Sequence, residues 1–170
     1  MGNATYRFMD NFGKNPILVI RNGQLVFKDF EGKITKFNKH GDKSFCVVID
    51  DHAFARTLAN EGWNVKQFKP RDDEDGEPDY YINVKVSFDS RFPPEVAILN
   101  DDGTLAPLTE ESVSVLDHSY ISTADISINA HHWTDDEGNE KVKGYLRKMH
   151  VRLNSTADEF ADEPSEALPF

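Results

Sequence analysis

From Phe27 to Phe45 the chain interleaves aromatic rings with cations: Phe27, Lys28, Phe30, Lys33, Lys36, Phe37, Lys39, Lys43 and Phe45. Rings offer faces on which bases stack, and lysines track phosphates, so this combination suits single-stranded nucleic acid bound without sequence preference. Phe37 stands between Lys36 and Asn38 in a polar stretch and reads as exposed. Phe27, Phe45 and Phe88 fall within apolar alternation and read as core. A second basic group follows near the end of the chain. There, alternation puts Lys141, Lys143, Tyr145 and Arg147 on one strand face, opposite Val142, Gly144 and Leu146. Tyr81 and Lys85 likewise face away from the apolar side of Tyr80–Phe88. Trp63, next to Gly62, fits a core and a groove equally. The candidate binding set is Lys28, Phe30, Lys33, Lys36, Phe37, Lys39, Lys43, Trp63, Tyr81, Lys85, Lys141, Lys143, Tyr145 and Arg147.

Chemistry other than binding finds little support. His131 and His132 lie near Asp135, Asp136 and Glu137, but adjacent strand residues point to opposite faces and cannot readily share an ion. The acidic loop around Gly76 would put Arg71 and Ile82 at the first and twelfth positions of an EF-hand, where ligands belong. The chain has no P-loop, no Gly-x-Ser-x-Gly and no His-Glu-x-x-His. The one cysteine, Cys46, excludes an intramolecular disulfide and a multi-cysteine zinc site, and its apolar strand implies burial. The expectation is a protein without catalysis, metal or cofactor.

The net charge of −11 depends on location. Residues 72–79 carry six acids and residues 154–170 carry five, with no Lys or Arg in either segment. The remainder is neutral, with nineteen acids against nineteen bases. The last stretch has no hydrophobic period and contains Pro164 and Pro169, which marks it as a disordered acidic tail. It nonetheless finishes in Leu168, Pro169 and Phe170, an apolar tip that gains nothing unless a partner's pocket receives it. No apolar run approaches the ~18 residues of a membrane span. The start lacks the pattern of a secretory leader, so the expected compartment is cytoplasmic, in a host cell if the protein is viral.

The elements that position these residues are mostly strands. Residues 1–14 show no period and read as a loose arm. Pro16–Ile20 and Gln24–Glu31 read as strands about an Asn22-Gly23 turn. Ser44–Ile49 pairs back across the lysine-rich loop. A helix follows, capped by Asp50 or Asp51 and ended by Gly62. Trp63–Lys69, Tyr80–Phe88 and Glu95–Leu99 are further strands, and Asp102-Gly103 is a hairpin signal. A short helix is expected from Thr109 to Leu116. Ala124–Trp133 and Lys141–Leu153 form a long final hairpin about residues 135–139. The fold class is all-β with one or two short helices, an OB-fold barrel with additional strands over residues 1–153, or alternatively a β-sandwich.

Two resemblances refine this reading. The tail resembles that of bacterial single-stranded DNA-binding proteins, with Asp162, Glu163 and Glu166 as the acids and Leu168-Pro169-Phe170 as the tip. That resemblance implies a tail that recruits replication and repair enzymes and competes with DNA for the groove. The segment Phe30–Phe45, with Glu61-Gly-Trp-Asn-Val-Lys66 downstream, resembles phage-encoded single-stranded DNA-binding proteins of OB fold over about residues 20–153. It implies single-stranded DNA as the partner, in replication or recombination. A viral β-sandwich interaction protein and an RNA-binding module are the rival functions. A homo-oligomer is compatible with either.

Overall fold

The computed structural model describes residues 3–70 and 76–154. The first strand, β1 (Thr5–Asn11), pairs antiparallel with β2 (Lys14–Gly23). The loose arm expected over residues 1–14 is thus corrected: alternation sends Tyr6 and Phe8 inward, where both rings meet Phe54 at centroid distances of 5.3 and 5.6 Å. Two side chains anchored on a core ring outweigh the weak local pattern that suggested an arm.

A second correction explains how the barrel closes. Asn22-Gly23 is no turn, because only Gln24 separates β2 from β3 (Leu25–Asp29). The chain runs on and changes partners: β2 pairs with β9 (Ile121–Thr134), whereas β3 pairs with β4 (Lys43–Ile49). At the changeover, Gln24 accepts a hydrogen bond from the Val48 amide at 2.9 Å. A Cβ on Gly23 would come within 3.0 Å of Ile20 and 3.2 Å of Val47, so a side chain there would press both sheet halves apart. β4 pairs antiparallel with β6 (Tyr80–Val86), β6 parallel with β10 (Glu140–Leu153), and β10 antiparallel with β9. The circuit β2/β3–β4–β6–β10–β9 returns to β2 as a five-stranded Greek-key barrel of OB type. This architecture sets the sandwich aside.

The barrel is filled from every stave: Leu18 and Ile20, Phe45 and Val47, Ile82 and Val84, Ile126 and Ile128, Leu146 and Met149 are all buried. The inward phase of β10 shifts between Leu146 and Met149 because a bulge falls between Leu146 and Lys148. One added residue leaves both Arg147 and Lys148 exposed.

The remaining elements brace the barrel. Helix α1 (His52–Asn60) starts where the Asp51 carboxylate accepts the Phe54 amide at 3.0 Å, and buries Ala55 and Leu58. It stops at Gly62, whose φ of +104° suits glycine. β5 is shorter than expected, Val65–Gln67, and lies along β6. β7 (Glu95–Leu99) and β8 (Leu105–Leu108) form the hairpin signalled by Asp102-Gly103. The helix expected from Thr109 is a 3-10 turn over Val113–His118.

Candidate nucleic-acid interface

The outer face of β4, β6 and β10 collects side chains from distant parts of the chain. Pairing alone aligns them. Lys66 on β5 lies opposite Tyr81 on β6, and Lys85 lies across the parallel seam from Tyr145 on β10. Lys143 faces His131 on β9, and Lys141 faces Trp133. The His131 ring meets Tyr145 edge-on at 6.1 Å, and Lys143 Nζ lies 5.6 Å from the same ring centre. Tyr81, Lys85, Lys141, Lys143, Tyr145 and Arg147 thus lie along one side of the barrel. His132, as the alternation requires, projects from the opposite face to His131.

The loop between β3 and β4 borders this face as a braced finger. Asp29 accepts the amides of Gly32 and Lys33 through Oδ1 at 3.0 and 3.1 Å. Asn38 donates to the Asp42 carbonyl at 2.8 Å and accepts the Asp42 amide at 2.9 Å. Thr35 and Asn38 exchange two backbone hydrogen bonds of 3.1 Å and close a tight turn. The turn presents Phe37, 88% exposed, with Lys36 Nζ 5.0 Å from its ring centre. Lys33, Lys36 and Lys39 are exposed, and Lys43 is half-buried at the root. Lys85 is tied to the finger by Asp42 at 3.6 Å.

Three expected contacts belong elsewhere. Phe30 is fully buried and stacks on Phe45 at 5.4 Å, so no base reaches it. Lys28 donates to the carbonyls of Leu116 and Ser119 at 2.7 and 2.8 Å. Burial lowers its pKa, and its charge caps the 3-10 turn rather than a phosphate. Trp63 is 6% exposed and fills the core below Gly144.

Three further rings, Phe27, Phe68 and Trp133, join the face from outside the expected set. Phe27, read as core, is 63% exposed. Its φ of +51° and the bulge between Val26 and Asp29 turn it outward and send Phe30 inward. Outside, Phe27 joins Phe68 and Tyr81, with ring centres 6.1, 5.3 and 4.6 Å apart around the trio. Trp133, 46% exposed, stands at the far side of the face. Only the adjacency of Phe68 to Lys69, and the position of Trp133 at a strand end, could have drawn notice to these two.

On the same face Cys46 is buried and receives the Asn83 side-chain amide at 3.6 Å. Burial raises its thiol pKa, which keeps it protonated. Among the described residues no cluster of three His, Cys, Asp or Glu side chains could hold a metal. The expected tail residues Leu168, Pro169 and Phe170, and residues 72–75 of the acidic loop, lie outside the described residues.

Residues 12–166 match the family model described as "Putative phage ssDNA-binding domain". The chain belongs to this phage ssDNA-binding family. Two solved structures are similar to this family member. One is the single-stranded DNA-binding protein from bacteriophage Enc34 as a C-terminal truncation, with a TM-score of 0.49, 12% identity and 87% of each chain covered. The other is the same phage's protein in complex with ssDNA, with a TM-score of 0.45, 11% identity, and 88% of this chain and 89% of that chain covered. No curated protein matches the chain. Among the described residues no helix is long and apolar enough to cross a membrane.

Proposed function

We propose that the protein coats single-stranded DNA without catalysis during phage DNA replication or recombination, in the host cytoplasm. The observation that carries this reading is the shared outer face of Tyr81, Lys85, Lys143 and Tyr145, flanked by the Phe37 finger. Barrels of this type bind oligonucleotides across their second and third strands, here β4 and β6, between the loops after the first and fourth. Those loops are the Phe37 finger and residues 135–139. Bases stack on Phe37, on the Phe27–Phe68–Tyr81 trio, on Tyr145 and on Trp133. Phosphates lie against Lys33, Lys36, Lys39, Lys43, Lys66, Lys85, Lys141, Lys143 and Arg147. The tail, through Leu168, Pro169 and Phe170, recruits replication proteins. Polarisation titrations with labelled dT, rU and duplex oligonucleotides test the reading. Binding of dT above rU and duplex supports it; absence of dT binding overturns it.

A further inference from the structure

The pairing of β6 with β10 covers only two steps, Val84 with Gly144 and Lys85 with Tyr145. Towards their N-terminal ends the two strands part. Trp63 fills the gap from beneath, held by a bridge to Val142 whose amide donates to Gly62 at 2.9 Å. A cleft of about 250 Å³ is left above it on the outer face. Trp133, Asn64, Asn83 and Lys143 are among its walls.

Two asparagines share these walls. Asn64 immediately precedes β5, whose Val65 pairs with Ile82, and Asn83 follows Ile82 on β6. Both side chains are exposed. Among the described residues Asn64 makes no side-chain hydrogen bond, and Asn83 uses only one N–H, towards Cys46. Two neighbouring amides therefore offer donors and acceptors beside an aromatic wall, with a lysine close enough to meet a phosphate. A stacking platform alone would need no such amides, because every base has a π-face.

We propose that this cleft is a subsite for one nucleobase of the bound strand, and that Asn64 and Asn83 give it a base preference. The proposal rests on the single-strand-binding reading above and names what one part of that site selects. Thymine and cytosine separate the two effects. Their rings stack with similar area, but thymine presents the O4 acceptor where cytosine presents the N4 donor. The hydrogen bond to Cys46 fixes the orientation of the Asn83 amide, so its remaining donor and acceptor can tell those edges apart, while a stacking ring cannot.

The test compares matched dT and dC oligonucleotides bound by the full chain, by the double variant Asn64→Ala/Asn83→Ala and by Trp133→Ala. The intact chain should separate the two homopolymers by about five-fold or more, the lower end of a good base-edge contact. The double variant should bring the ratio below about two-fold, with the salt slope and melting temperature unchanged. Trp133→Ala should weaken both oligonucleotides while preserving their ratio. Equal binding of dT and dC by the intact chain overturns the subsite and leaves strand binding standing. So does a preference that survives loss of both amides. If the intact chain binds neither oligonucleotide, the strand-binding reading falls and the subsite falls with it.

Discussion

Tyr145 and Lys85 face each other across the two-step parallel seam between β6 and β10, although sixty residues of chain separate them. The pair joins an aromatic ring of the last hairpin to a cation of the central strand on one surface. The expected behaviour of that surface follows from its charges, its rings and the groups that brace it.

Charge should make binding depend on salt. If the lysines of the finger and of β10 neutralise phosphates, log K for dT should fall linearly with log salt, with a slope of about −0.7 per phosphate contact. Lys85→Ala and Lys143→Ala should each make the slope shallower. A slope near zero in polarisation titrations would argue against a phosphate track.

Phe37 and Phe30 should respond oppositely to truncation. Phe37→Ala removes an exposed ring and should cost about 1–3 kcal/mol of strand binding with an unchanged melting temperature. Phe30→Ala opens a cavity against Phe45 and should lower stability by about 3–5 kcal/mol. Thermal melts and titrations of both variants read the contrast.

Phe27 should behave as a surface ring. Phe27→Ala leaves the core intact but strips one side from the Phe27–Phe68–Tyr81 trio, so affinity should drop several-fold at constant melting temperature. A collapse in stability instead would return Phe27 to a packing role.

The entry to α1 should impose a pH dependence on stability. His52 Nε2 lies 2.9 Å from Asp79 and Nδ1 3.2 Å from Glu77. The hydrogen bond to Asp79, aided by the Glu77 charge, raises the His52 pKa. A raised folded value means the protonated ring favours the folded state. This contribution is complete below the ordinary histidine value of about 6.5 and fades as pH climbs through the raised value. His52→Gln should therefore lower the melting temperature most at acidic pH, and the gap should close in alkali. A gap independent of pH would show that His52 stabilises by packing alone.

The acidic tail should compete with DNA for the basic face. Deleting residues 155–170 removes five of thirty acids and no base, taking the net charge from −11 to −6. Apparent affinity for dT should rise at low salt, and the gain should shrink as salt screens the competition. Equal affinity with and without the segment at low salt would exclude a shielding role.

Composition and periodicity pointed to an all-β chain and to a ligand with stackable faces and phosphates, while barrel against sandwich stayed open and DNA was implied by the resemblance. Alternation in Tyr80–Val86, and in the last strand as far as Leu146, revealed which residues face inward, because a strand's two faces follow from a period of two. The lysine-rich loop around Phe37 was readable because an aromatic residue among polar neighbours has no local core to join. Tertiary structure decided everything that turns on a break in alternation or on a distant partner. The bulge after Val26 exchanged Phe27 and Phe30 between surface and core, a reversal that one extra residue imposes and no periodicity foretells. Lys28 became a cap because its partner carbonyls, on Leu116 and Ser119, lie about ninety residues away. Trp133, Asn64 and Asn83 share a cleft only because β6 and β10 part after two paired steps. Strand register is a long-range property set by packing across the barrel, so a local pattern can show which face a side chain takes but not which neighbours it meets there.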